Sequence, residues 1–295
     1  MRVVAAIPAR FGSTRLPGKP LLRMLDGAPM IAHVVRAALA AETVQHVVVA
    51  TDHEGVAAAA EASGAEAVMT ESSLPTGTDR VAAAMRLRPH CANADIIVNV
   101  QGDEPLIEPS SINLAAQLLM AHPAADIATL SAPLAADDLM DLHRVKVVCG
   151  PPLSCDGSSI ASGMHATSDA IPAARQALFF SRAPIGVDRE ALEALLIARA
   201  RGTAPVLSAS SYASRLHVGL YAFRPSSLHR FVSLPPSPLE MLEHLEQMRA
   251  LEAGMTIAVG EVSHAARGVD TAADLEALEM QWREQRSRAD AAAAA

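Results

Sequence analysis

Short β-branched runs alternate with Ala- and Leu-rich segments of helical length from the first residues to about position 130, and that alternation leaves few folds open. Residues 3–7 (VVAAI), 46–50 (HVVVA), 66–69 (EAVM), 95–100 (DIIVNV) and 126–130 (DIATL) have the length and apolar character of buried strands. Between them, 30–40, 54–64, 79–87 and 110–121 have helical length and periodicity. The pattern predicts an α/β chain, a mainly parallel sheet with helices on both faces. Ligands of such sheets sit beyond the carboxyl ends of the strands, so the loops at 8–20, 51–54, 71–78 and 101–108 are expected to line one cleft.

Beyond residue 131 the pattern loosens. Residues 149–172 are rich in Gly, Ser and Pro and read as a surface insertion, and 201–214 as a second. Order resumes with a strand over 216–223 and a helix over 237–254, opened by Ser-Pro and stopped by Gly254; 256–260 is a last strand. These segments predict a single domain over 1–282, with its core in 1–140 and 237–282, an inserted portion over 141–236 and a fraying tail at 283–295.

Composition excludes several classes. At 295 residues and 51% hydrophobic the chain can bury an extensive interior, and only 3% is aromatic, which suits Ala-rich helices packed on a sheet. No apolar run approaches the ~18 residues that cross a bilayer, and no charged-then-apolar leader opens the chain. Cys91, Cys149 and Cys155 show no metal-ligand spacing, so reduced thiols and a cytoplasmic setting are expected, with no membrane partner. A net charge of -8 argues against a nucleic-acid partner, which requires a broad basic face.

Against that acidity the opening stands out. Arg2, Arg10, Arg15, Lys19 and Arg23 all precede the first carboxylate, Asp26. The stretch 7–21, IPARFGSTRLPGKPL, follows the first strand with Gly, Ser and Thr between its cations. Such a loop presents Arg10, Arg15, Lys19 and backbone N–H groups to a polyphosphate. It is neither GxxxxGK[ST] nor GxGxxG, and Pro17 and Pro20 stiffen it. A solvated basic loop is the competing reading; its place after the first strand of an acidic chain favours an anionic ligand.

The same stretch resembles the nucleotide-binding loop of the 3-deoxy-manno-octulosonate cytidylyltransferases. The resemblance runs on in order through ATDHE (50–54), TGTDR (76–80), NVQGDEP (99–105), VKVV (145–148), FFSRAPI (179–185), HVGLYAFR (217–224), SPLEMLEHLEQMRALE (237–252) and GVDTAADLE (268–276). It implies a Rossmann-like nucleotidyltransferase fold with a smaller dimerisation portion, and hence a homodimer. The implied activity is Mg²⁺-dependent transfer of CMP from CTP to 3-deoxy-D-manno-octulosonate (Kdo), with release of pyrophosphate, for lipopolysaccharide assembly. Spore-coat polysaccharide nucleotidyltransferases share much of the first block alone.

Carried over position by position, the resemblance makes Ala9, Arg10, Ser13, Arg15 and Lys19 triphosphate ligands, with Lys19 stabilising departing pyrophosphate, and puts Thr76 and Gly77 near cytosine and ribose. It makes Asp103 and Asp270 the metal ligands, and Arg80, Gln101, His217, Tyr221, Glu246 and Gln247 the Kdo site. Two carboxylates with open positions suit Mg²⁺, which keeps water and substrate phosphate in its shell. One guanidinium with several neutral donors and acceptors suits a polyhydroxylated carboxylate. On their residues alone, other readings stay open: a loop turn for Asp103, with Glu104 a turn or supporting group, and a helix N-cap for Asp270. Arg80 reads equally as a solvated helix residue, His217 and Tyr221 as core-edge residues, and Glu246 and Gln247 as an exposed helix face.

Asp79 stands where the family usually has Glu, and His143-Arg144 where Asn-Ala is usual. A related acid such as 8-amino-Kdo, another nucleotide, or a non-catalytic nucleotide-binding protein of this fold are the alternatives.

Overall fold

The structure, a computed structural model, describes residues 1–12, 16–88, 91, 93–154, 172–203, 208–266, 268–269, 271–280 and 283. They fall into two compact units, Met1–Asn113 with Ala266–Ala295, and Leu114–Ala265. Ser13, Arg15, Asp270, most of the expected insertion over 149–172, part of that over 201–214 and all but one residue of the tail lie outside the described residues.

The first unit follows the sequence pattern closely. It comprises β1 (Val3–Ala9), α1 (Met30–Leu39), β2 (His46–Thr51), α2 (Glu54–Ala62), β3 (Glu66–Met69), α3 (Gly77–Leu87) and β4 (Ile96–Asn99). Its strands run parallel in the order β3-β2-β1-β4. Central β1 is buried almost throughout, because it has a neighbour on each edge: Ala5 stands opposite Val47 on one side and Val98 on the other. On α1, Met30, Ile31, Val34, Val35 and Ala38 are buried, the spacing of one helical face. A helical segment at 272–280 belongs to this unit, where Val269 and Leu278 pack with Met24 and Met30.

Chain reversals are set by caps. The Thr76 side chain accepts the N–H of Asp79 at the start of α3, and His53 Nδ1 accepts that of Gly55 at the start of α2. After β4 the chain folds back tightly across β1. A Cβ on Gly102 would lie 2.7 Å from the Pro8 carbonyl oxygen, so only glycine fits there.

The unit boundary falls within α4 (Pro109–Ala121). The second unit holds β5 (Ile127–Ala132), β6 (Lys146–Pro152), β7 (Arg175–Ser181), α5 (Arg189–Ala200), β8 (Arg215–Phe223), α6 (Pro225–Ser233), α7 (Pro238–Glu243), α8 (Gln247–Glu252) and β9 (Ile257–Glu261). Here the expected mainly parallel sheet is corrected. Only β5–β9 is parallel, whereas β5–β8, β6–β7, β6–β8 and β7–β9 are antiparallel. The strand order is β8-β5-β9-β7-β6, and β6 also pairs with β8, so the strands return on themselves. β6, β7, α5 and α6 were not foreseen.

The single helix expected over 237–254 is two. Ser237 and Glu240 form a reciprocal capping box, and His244 then adopts a left-handed conformation, φ 54°, which ends α7. Glu240 also accepts a 2.6 Å hydrogen bond from Arg249, tying α8 back across the break. Gly254, φ 69°, stops α8 as expected.

Gly102→Ala should overpack against backbone that cannot swing aside, costing about 1–3 kcal/mol. Urea denaturation checks this, and an unchanged midpoint would show that the loop after β4 yields.

Candidate functional site

Three of the four loops expected to form a cleft line a cavity of about 370 Å³ in the first unit, within the size range of small-molecule sites. The end of β1 supplies Pro8, Ala9 and Arg10, the opening loop Lys19, the start of α3 Thr76 and Gly77, and the loop after β4 Gln101, Gly102 and Asp103; Arg80 reaches it from further along α3.

Lys19 starts a single 3-10 turn after Gly18, whose φ of 67° turns the loop inward. Its Nζ donates to Asp103 Oδ2 at 2.8 Å, so the nearest carboxylate of the cavity floor is engaged by the loop cation. The Asp103 carbonyl accepts from the Val269 N–H at 2.9 Å. That bond brings the chain segment preceding Asp270 beside Asp103. Glu104 is half-buried, and burial, reinforced by the neighbouring Asp103 charge, pushes its carboxyl up to about 8. Hard oxygen donors of this kind suit a small divalent cation, though among the described residues no group of three or more His, Cys, Asp or Glu is gathered to hold one.

Arg80 is buried, not the solvated helix residue that its neighbours in sequence allow. Its Nη1 donates to Thr70 Oγ1 at 2.7 Å and its Nη2 to Asp52 Oδ2 at 3.2 Å. Thr76, already the cap of α3, also donates its hydroxyl to Asp79 at 2.8 Å. Asp79 thus completes a local clasp. Gln101 places its Oε1 over Gly77.

The remaining candidates lie in the second unit. His217 and Tyr221 share a face of β8, their rings 5.5 Å apart, and Tyr221 is buried. His217 packs edge-on against Phe180 at 4.9 Å and its Nε2 lies 3.0 Å from Thr129 Oγ1. The Thr129 hydroxyl has one proton, directed at the carbonyls of Leu220 and Val218 at 2.8 and 3.1 Å. Nε2 therefore carries the imidazole proton and Nδ1 keeps its lone pair. Burial pulls the His217 pKa down to about 3, so the ring is neutral at physiological pH. Glu246 and Gln247 follow the left-handed break into α8; Gln247 is buried and Glu246 half-buried, which corrects the exposed-face alternative.

Asp52 and Thr70 have no role in the sequence reading. The available signal was position: an acid immediately after a strand, in the fourth expected loop.

Residues 4–257 match the family model described as Cytidylyltransferase. A 3-deoxy-manno-octulosonate cytidylyltransferase of Rhodopseudomonas palustris (strain BisA53) is 45% identical over 270 residues, 92% of each chain. One of Bdellovibrio bacteriovorus is 39% identical over 279 residues, 95% of this chain and 97% of that protein. A solved CMP:2-keto-3-deoxy-manno-octonic acid synthetase complexed with CTP superposes with a TM-score of 0.77 at 35% identity, covering 97% of this chain and 100% of that one.

At His217 the folded protein binds a proton less readily than the unfolded chain, whose imidazole titrates near 6.5. Its contribution to stability is therefore complete above that pH and lost as pH falls from about 6.5 towards 3. His217→Gln should lower Tm less steeply than wild type between pH 7 and pH 5. Parallel curves would show that the ring protonates in the folded state.

Proposed function

The chain belongs to the cytidylyltransferase family, and on that premise we infer that it transfers CMP from CTP to Kdo, releasing pyrophosphate. The anomeric hydroxyl of Kdo attacks the α-phosphorus; a P–O bond to the sugar forms as the bond to the pyrophosphate oxygen breaks. Catalysis of such a step is mainly positioning and charge stabilisation. The observation that carries the reading is the cavity beyond β1 and β4, where a loop cation meets a carboxylate: Lys19 is 2.8 Å from Asp103.

In this proposal Ala9, Arg10, Ser13, Arg15 and Lys19 hold the triphosphate, and Lys19 takes up charge on the leaving pyrophosphate. Thr76 and Gly77 border the nucleoside. Arg80 and Gln101, with His217, Tyr221, Glu246 and Gln247, bind Kdo, the guanidinium taking its carboxylate and the neutral His217 accepting a sugar hydroxyl at Nδ1. Asp103 and Asp270 would hold Mg²⁺, a reading supported by the Val269–Asp103 backbone bond and by the hard oxygen donors of the Asp103 carboxylate. When bound, the ion would supply charge neutralisation at the phosphates.

We further propose a cytoplasmic homodimer serving lipopolysaccharide assembly. Its motive is the exposed apolar side chains of Leu178, Met241 and Leu242 in the second unit. Among the described residues no helix is long and apolar enough to cross a membrane.

Pyrophosphate release, measured with Mg²⁺, each of four nucleoside triphosphates and a panel of sugar acids, tests the reading. CTP with Kdo should far exceed every other pair, and a different preferred pair would replace it. Lys19→Ala should lose about 10- to 150-fold in kcat/KM, the equivalent of one charged hydrogen bond. Asp103→Asn and Asp270→Asn should each raise the Mg²⁺ requirement of a protein that remains folded. Unchanged magnesium dependence in either would remove that residue from the metal site.

A further inference from the structure

Asp52 follows directly on β2 and does not line the cavity, yet it touches two parts of the site at once. Its Oδ1 accepts the Phe11 N–H at 3.0 Å, and its Oδ2 accepts Arg80 Nη2 at 3.2 Å. Phe11 is where the opening loop leaves β1, and several contacts fix it there. Its ring stacks on His53 with centroids 3.8 Å apart and planes 9° apart. Its carbonyl accepts the Gly18 N–H at 3.3 Å, closing the loop immediately before Lys19. His53 in turn caps α2. The loop's entry is thus fastened to the Asp52-His53 dipeptide, and its exit to Phe11.

On the other oxygen, Arg80 is clamped between Asp52 and Thr70. The Thr70 hydroxyl donates to the Thr51 carbonyl at 3.1 Å and its N–H to the same oxygen at 2.8 Å. Both acceptors of the guanidinium therefore hang on the carboxyl end of one strand, β2 and the residue after it. The Arg80 side chain is 3% exposed and that of Asp52 13%, so the pair is shielded from water and its geometry is firmly held.

We propose that Asp52 is a positioning residue that sets the triphosphate loop and the Arg80 guanidinium in fixed relation to each other, one carboxylate oxygen for each. This rests on the reading of Arg80 as the sugar-acid ligand and of the loop as the triphosphate ligand. The two oxygens separate the roles chemically. Asp52→Asn keeps an oxygen for Phe11 but turns an amide N–H₂ towards Arg80, donor against donor. Asp52→Ala removes both anchors.

The experiment measures KM for CTP, KM for Kdo and kcat in both variants, with CTP binding by calorimetry as a readout independent of turnover. Asp52→Asn should raise KM for Kdo about ten-fold and leave KM and Kd for CTP within about two-fold. Asp52→Ala should raise both, with CTP binding weakened about ten-fold as well. Thr70→Val, which removes only the second acceptor of Arg80, should reproduce the selective Kdo effect in milder form. If Asp52→Ala does not fold, Asp52→Glu takes its place; moving both oxygens by one methylene, it should raise both constants. Equal changes in both constants for Asp52→Asn, or none, would overturn the proposal and leave Asp52 a structural residue. A lower KM for Kdo in Asp52→Asn would equally overturn it, because Asp52 would then be competing with the substrate carboxylate. A wild-type protein that fails to join CMP to Kdo would instead sink the functional reading, and calorimetry with CTP would still report on the loop anchor.

Discussion

A cation drawn out of water must be paired, and the first unit is organised around that constraint. Lys19 rests on Asp103 and Arg80 on Asp52. The two pairs differ in exposure, and exposure decides what they do. The side chains of Lys19 and Asp103 are 13% and 34% exposed, and partly solvated pairs of this kind contribute only about 0–1 kcal/mol. Arg80 and Asp52 are far more enclosed, where removing one partner of a buried pair costs about 3–5 kcal/mol. The first pair is therefore a contact that, in the proposed function, a triphosphate would exchange at little cost. The second is an anchor that should persist through substrate binding.

That difference bears on how the proposed reaction is arranged. In that proposal a triphosphate would offer Lys19 several oxygens in place of one carboxylate, a freedom to exchange partners that its partly solvated pair allows. Arg80 has no such freedom, since Thr70 and Asp52 occupy two of its donors, and it presents the remaining face of the guanidinium in a fixed direction. A fixed fork suits recognition of a planar carboxylate. An ammonium, a compact point charge, suits a phosphate chain whose charge moves as the bond breaks.

The first unit was legible because its strands are buried on both faces and bounded by helix caps, so each element announces itself locally. The second was less so. β6 runs through Gly150, Pro151 and Pro152, and its register against β7 shifts twice, features that read in sequence as irregular chain. Lys146, wholly buried within that strand, donates to the carbonyls of Asp141 and Arg182, a use of lysine that no apolar pattern foretells. The break at His244 was hidden because the helical pattern continues across it; only the Glu240 contacts to Ser237 and Arg249 explain it. In the site, the loops at 8–20, 71–78 and 101–108 were read as lining one cleft and they line one cavity, joined by Arg80 from α3, whereas the loop at 51–54 does not line it. Asp52 escaped because its work is done on a backbone N–H and on another side chain, neither of which leaves a mark in residue spacing.

The sheet supplies the distances. Neighbouring parallel strands stand roughly 4.8 Å apart, so the carboxyl ends of β2, β1 and β4 deliver Asp52, Arg10 and the 101–103 loop to adjacent places along one edge. Side chains rooted there inherit the rigidity of the strands, while loops that merely surrounded a ligand would have to be ordered by it. The described residues at the two ends of the opening loop are tied down as well. Phe11 is pinned at its start, Gly18 closes it, and Pro17 and Pro20 restrict the backbone around Lys19. In the proposed function, the ordering that a triphosphate site would need at Phe11, Gly18 and the backbone of Lys19 is thus incurred when the chain folds rather than at the binding step.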